Sequence, residues 1–565
     1  MFTHRNTAAL GLALLAGCLS SDDARKDSAS TANSVAPPAP PALRQDRLRG
    51  SITREREWWD LLHYDLALEV FPEAKRLAGV TAVTFRALAP GNRMQIDLQP
   101  PLAVTRVEHA GEELAFEREG NVYWIELSSA LEASTEHRID VHYEGTPVES
   151  ELPPWTGGLT WETDELGRPF IATTCQGIGA SIWWPNKDHG YDEPDRGMDV
   201  RVTVPRPLVA VSNGRLVERT ADAEGGTETF HWRVVNPINN YGVNVNIGHY
   251  VSMPGTYAGE SGPLDLEYWV LDHQVEIARE QFREAPRTLE AFEHWFGPYP
   301  FYEDSYKLVV VPYLGMEHQS SVTYGNGFEN GYRGRDLSGT GVGLKFDFIV
   351  VHETAHEWFG NNISAVDLAD LWIHESFANY AENLFVEYHF TEREAQDYVI
   401  GCRARIRNDI PIVGTYGINA EGSSDMYYKG GNMLHTMRHV LDDDELWLRT
   451  LRGMNEVFRH RTVTTEEFET YLCRTTGFDF GPFLDQYLRT TKIPVLAYEA
   501  TDGGLSLWWE DVVPGFGVPV VVRINGAERR VAVSEQPTVI ALDGGLESFE
   551  LDRNFYMSTA ARAGG

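Results

Sequence analysis

His352, Glu353, His356 and Glu375 have the types and spacing of a metal-dependent hydrolase. Residues four apart share a face of an α-helix, so His352 and His356, in the segment HETAHEWFGN (352–361), aim both imidazoles at one point. Glu353 stands beside them without being a ligand. Eighteen residues separate His356 from Glu375, enough to finish one helix, turn, and open a second that offers a carboxylate. Two imidazoles and one carboxylate suit a catalytic zinc, which keeps its fourth tetrahedral position for water. A structural zinc is usually closed by four ligands, mostly cysteine. The expected cofactor is one Zn2+ per chain.

The elements that must carry these groups are also readable. Residues 344–351 are apolar enough to bury the start of the metal helix, and 372–382 read as a second, amphipathic helix. A strand over 306–311 leads into the loop 312–319. From about Glu57 to Gly255 the dominant signal is alternation of period two, as in Tyr64, Leu66, Leu68 and Val70 and again over 94–98, 121–127, 138–143, 199–204 and 229–235. That pattern predicts a large antiparallel sandwich or saddle-shaped sheet. Helical periods begin at 273–295 and continue to about Thr490. Short strands return at 505–509, 518–524 and 538–542. The fold class is therefore multidomain α+β.

At 565 residues the chain exceeds one compact core. His4 and Arg5 precede an apolar run from Ala8 to Ala16 that is too short to span a bilayer permanently. Residues 1–17 are expected to be a signal peptide. Leu15-Ala16-Gly17-Cys18 resembles a bacterial lipobox, which implies cleavage before Cys18 and its acylation, and Leu19 suits outer-membrane sorting. The Ser-, Asp-, Ala- and Pro-rich residues 18–50 read as a flexible tether. The lipobox resemblance implies the cell envelope of a diderm bacterium, with anchoring through Cys18 on the outer membrane or its periplasmic face. A net charge of -35 argues against nucleic acid as a partner. Cys175, Cys402 and Cys473 allow at most one internal disulfide, so the fold does not depend on a disulfide framework.

The segment Leu314-Gly315-Met316-Glu317-His318, then H-E-x-x-H with its distant Glu375, then Tyr427-Tyr428-Lys429-Gly430, resembles the aminopeptidase N family of gluzincins, which also contains leukotriene hydrolase. The resemblance implies a saddle-like N-terminal β domain (51–255), a thermolysin-like mixed α/β catalytic domain (256–492) and a small C-terminal β-sandwich (493–565). A fourth, helical domain occurs in many members; the roughly seventy residues after Pro494 hold the sandwich alone, which implies a more open site.

By the same resemblance Glu317 holds the free α-amine of a peptide, Gln176 assists it, and Gly315 belongs to the substrate-binding loop. Tyr427 donates to the oxyanion, with Tyr428 the alternative if the register is shifted by one. Leu314 stands where the family has glycine and His318 where it has asparagine, which puts subsite shape at issue. The function implied is a zinc aminopeptidase acting on peptides with a free amino end, Glu353 serving as the base. The rivals are a zinc endopeptidase, an inactive lipid-anchored peptide-binding protein, and an epoxide hydrolase, for which no feature specifies a lipid tunnel. Glu382 is a candidate for orienting the zinc histidines. The aromatics at 183–184 read as packing.

Overall fold

The computed structural model describes residues 43–501, 504–542 and 544–562. The expected signal peptide, Cys18 and most of the tether lie outside them. Within them, the period-two segments form sheets. Eight strands run in the order Arg215–Ala221, Thr227–Val234, Met198–Pro205, Trp59–Phe71, Arg76–Ala87, Glu136–Gly145, Ala103–His109 and Glu112–Glu113. All neighbours are antiparallel except Trp59–Phe71 and Met198–Pro205, which pair in parallel from Tyr64 opposite Met198 to Glu69 opposite Thr203. Alternation puts Tyr64, Leu66, Leu68 and Val70 inside and leaves Ala67 and Glu69 exposed. A three-stranded sheet (Gly91–Asp97, Val122–Leu131, Ala115–Glu119) belongs to the same β-rich region. A four-stranded sheet (Val209–Ser212, Val245–Gly248, Pro169–Thr174, Gly158–Thr163) delivers Gln176 just past one of its strand ends.

Two boundaries differ from the sequence expectation. The tether was expected to extend to Gly50, but Arg44–Gly50 is a helix. Its Leu48 is buried with Val122 and Trp124. One apolar residue in that heptapeptide is too weak a signal to read as a packed helix. The β domain was expected to end at Gly255, yet Tyr250–Gly259 pairs with Gly262–Leu271, and the latter runs parallel to Tyr306–Val310 in a five-stranded sheet with Val322–Tyr324 and Gly315–Met316. The hairpin thus belongs with the catalytic elements. Alternation marks a strand without saying which sheet it joins.

The metal-site helix, Phe348–Ala355, is buried along its whole length. Asp347 caps it by accepting from the backbone N–H groups of Ile349 and Val350, and also accepts from Gln281, Tyr324 and Asn326. Regular helix ends at Ala355, earlier than the 352–361 motif suggests, and His356 follows in a tight turn that keeps right-handed helical angles. The second helix, Trp372–His389, was expected to be amphipathic but is buried on every side from Trp372 to Val386. It is the central helix, enclosed by Phe348–Ala355, Glu284–Phe296, Glu392–Gly401 and Tyr428–Leu441. Phe359 stacks on Phe377 with centroids 4.4 Å apart, fixing the turn after the metal helix against that central helix.

Helices Thr465–Thr476 and Gly481–Arg489 lead into the C-terminal strands, which form a four-stranded and a three-stranded sheet. Arg403 clamps this part to the helices by donating to the carbonyls of Arg553 and Asn554. All three cysteines among the described residues are free. No helix among the described residues is long and apolar enough to cross a membrane.

Replacing Asp347 by Ala removes the cap and strands buried donors on three elements. The expected loss of stability is about 2 kcal/mol, with a smaller loss for Asp347→Asn, read from denaturant unfolding. Unchanged stability in both would show that the cap does not hold the metal helix.

Candidate active site

The sequence spacing becomes a triangle in space. His352 Nε2 and His356 Nε2 lie 3.4 Å apart, and Glu375 Oε2 lies 3.6 and 3.5 Å from them. Three ligand atoms each about 2.0–2.1 Å from a tetrahedral ion sit about 3.3–3.4 Å from one another, so the triangle has the size of a zinc site. Glu375 Oε2 is buried without a hydrogen-bond partner, as a ligand atom reserved for a cation would be. Burial alone would lower the His356 pKa, yet the charges of Glu375 and Glu317 lift it to about 9. Imidazoles driven to hold protons mark a centre short of positive charge. A divalent cation supplies that charge, and these residues fit it.

Each histidine is turned by its other nitrogen. His352 Nδ1 is 2.7 Å from Glu382 Oε1, and His356 Nδ1 is 3.0 Å from the carbonyl of Phe359. Both contacts need an N–H at Nδ1, which leaves both Nε2 lone pairs facing the triangle. Glu382 is in turn held by Asn379 Nδ2, 3.2 Å from each oxygen, and by the hydroxyl of Tyr398 at 2.6 Å. The short helix Glu392–Gly401 thereby reaches the metal ligands through one phenol.

A second group of ligand-type atoms, from Glu317, Glu353 and His356, lies within 4.8 Å of one another. Burial pushes the Glu353 carboxyl up to about 7, against the opposing charge of His352, and raises that of Glu317 against the charge of His356. Gln176 Nε2 donates to Glu317 Oε1 at 2.6 Å and approaches Glu375 Oε1 at 3.3 Å, so one amide joins the loop carboxylate to the metal carboxylate. Asn361 Nδ2 fixes the same loop by donating to the carbonyl of Glu317 at 2.8 Å.

Gly315 lies under Glu353. A Cβ there would stand 2.6 Å from Ile349 Cγ2 and 3.3 Å from Glu353 Oε1, so a side chain would force Ile349 to shift and crowd the carboxylate. Leu314 is buried in the main apolar core. His318 is buried too. Its Nδ1 is 3.3 Å from Thr323 Oγ1, and burial lowers its pKa to about 3. Both departures from the family pattern therefore lie buried in the protein.

Tyr427 stacks on His352 with centroids 6.0 Å apart and 25° between planes. Burial, with the charges of Glu375 and Glu317, raises its pKa above the ordinary phenol value, keeping the O–H as a donor. Tyr428 turns its ring toward Arg405. Sequence reasoning missed Tyr241, whose hydroxyl lies 3.3 Å from His374 Nδ1 and whose pKa is raised by burial and by Glu317 and Glu375. It comes from a loop of the β-rich region, and no local motif marks it. His374 is placed by accepting from the Ala365 N–H at 2.8 Å.

Truncating Glu382 frees the His352 ring. Glu382→Ala is expected to weaken zinc binding about 10- to 100-fold, and Tyr398→Phe less, by chelator-competition titration. Wild-type affinity in Glu382→Ala would remove its orienting role.

Comparison with known proteins agrees with this geometry. Two family models match most of the chain between them, the Peptidase M1 N-terminal domain over residues 61–241 and the Peptidase family M1 domain over 280–487. Leukotriene A-4 hydrolase from Xenopus laevis is 22% identical over 452 residues, covering 74% of this chain and 68% of that protein. Aminopeptidase N from Lactobacillus helveticus is 28% identical over 273 residues, covering 44% of this chain but only 30% of its own length. Among solved structures, a mutant M1 zinc metallopeptidase from Deinococcus radiodurans bound to a Tyr-Ser-Ala substrate aligns with a TM-score of 0.64 and 22% identity, over 77% of this chain and 95% of that one. The matched regions contain both the loop that carries Gln176 and the whole triangle of His352, His356 and Glu375, and the chain belongs to peptidase family M1.

Proposed function

We propose that this chain is a zinc aminopeptidase that removes residues from the free amino end of peptides. The observation that carries the reading is the Glu317 carboxylate, buried next to the zinc triangle and bridged to it by Gln176. A buried carboxylate with its charge unmatched is a site for a cation, and a peptide's α-ammonium is the cation a peptidase meets. His352, His356 and Glu375 would hold the zinc, which when bound supplies Lewis acidity to activate a water and polarise a carbonyl.

The chain's own groups do the rest. Glu317 and the Gln176 amide oxygen take the ammonium and fix the first residue's carbonyl against the triangle. Glu353 accepts the proton of the attacking water and passes it to the leaving amine. Tyr427 donates its O–H to the developing oxyanion. An endopeptidase has no use for a buried carboxylate placed to take a free ammonium beside the metal triangle. The relatives named aminopeptidase N and aminopeptidase B support the same choice.

The same reading sets the enzyme outside the cytoplasm on a lipid carried by Cys18, supported by Leu15-Ala16-Gly17-Cys18 and the Pro-rich segment after it. Cells fed labelled palmitate should transfer label to the wild type and not to Cys18→Ser. Label on both, or on neither, would contradict the anchor.

The activity is tested with a matched pair of peptides, one free and one amino-acetylated. Wild type should cleave only the free peptide and lose activity with a chelator. Glu353→Gln should keep its zinc and lose about 10²- to 10⁴-fold in kcat. Robust cleavage of the acetylated peptide would favour the endopeptidase.

A further inference from the structure

A cavity adjoins the amine anchor. It is open to solvent at its mouth, and its lining includes Gln176, Tyr241, His374 and Leu371. Gln176 connects it to the active centre by holding Glu317, and His374 neighbours the metal ligand Glu375. Arg49 and Gly50 also line it, and they come from the helix Arg44–Gly50, ahead of residue 61 where the family match begins.

That helix is firmly seated. Arg56 Nη1 donates to the carbonyls of Arg49 and Ser51 at 2.8 and 2.9 Å, and Gln95 Nε2 donates to the carbonyl of Leu48 at 2.9 Å. Gly50 presses on the loop bearing Asn419 so closely that a Cβ would lie 2.0 Å from Asn419 N. The Arg49 side chain is only 15% exposed, and its Nε sits 3.3 Å from Asp188 Oδ2. Gly179 makes room for this pair. A Cβ there would come within 2.2 Å of Asp188 Oδ2 and 2.3 Å of Arg49 Nη2. The guanidinium is thus a fixed piece of wall.

We propose that this cavity receives the side chain of the substrate's first residue, and that Arg49 limits how large that side chain can be. The inference rests on the aminopeptidase reading, because an ammonium on Glu317 leaves its α-carbon beside Gln176 with the cavity next to it. The segment joining the expected anchor to the enzyme then also sets specificity, and Arg49 is a specificity-determining residue.

The test is the ratio of kcat/KM for tryptophanyl over alanyl fluorogenic amides. Arg49→Ala should raise it about tenfold, since a methylene-scale change of pocket space carries discrimination of that order, while Arg49→Met, of similar length without the charge, should stay within about twofold of wild type. Leu368→Trp, filling the same cavity from another lining position, should lower the ratio. An unchanged ratio in Arg49→Ala with an unchanged melting temperature overturns the proposal, and so does an equal shift in Arg49→Met, which would assign the effect to charge. If Arg49→Ala does not fold, an unchanged ratio in Leu368→Trp overturns it alone. A wild type inactive on every free-amino substrate would instead strike the aminopeptidase reading.

Discussion

Four carboxylates are buried around two imidazoles at the centre of this protein. Glu317, Glu353, Glu375 and Glu382 are all nearly or wholly inaccessible, as are His352 and His356. Charge held away from water is expensive unless matched, and here the protein's own cations do not match it. In the proposed function two cations from outside complete the balance: zinc answers Glu375, with Glu382 tied to His352, and a substrate ammonium answers Glu317.

The surrounding architecture keeps this arrangement from relaxing. The metal helix is capped at Asp347 and buried throughout, and the central helix that supplies Glu375 and Glu382 is enclosed by four others. The β-rich region contributes Gln176 and Tyr241 from the opposite side, so the active centre exists only where the two parts meet. A small error in that docking would separate Gln176 from Glu317 and Glu375 together. The helix Arg44–Gly50 is wedged along the same seam, between the β-rich region and the loop bearing Asn419.

Much of the centre was legible in the sequence because helix geometry turns a spacing of four into a shared face, and His352, His356 and Glu375 needed little more. Glu317, Gln176 and Tyr427 were accessible only through likeness to a family, since nothing in a loop glutamate or a strand-end glutamine announces its partner. Tyr241 and His374 gave no signal, their roles arising from contacts between segments more than a hundred residues apart. Local pattern also misplaced the Tyr250–Gly259 hairpin, which joins its sheet by parallel pairing through Gly262–Leu271. The helix Arg44–Gly50 was hidden in a polar, Pro-rich stretch by having only one buried apolar side chain.

The division of labour among the carboxylates is the central claim, and an anomalous-difference map of zinc-loaded crystals at the zinc edge tests it most directly. The account predicts one peak within bonding distance of His352 Nε2, His356 Nε2 and Glu375, with Glu317 free of metal. A peak seated instead among Glu317, Glu353 and His356 would contradict it, because the carboxylate assigned to the substrate's amine would then be a metal ligand.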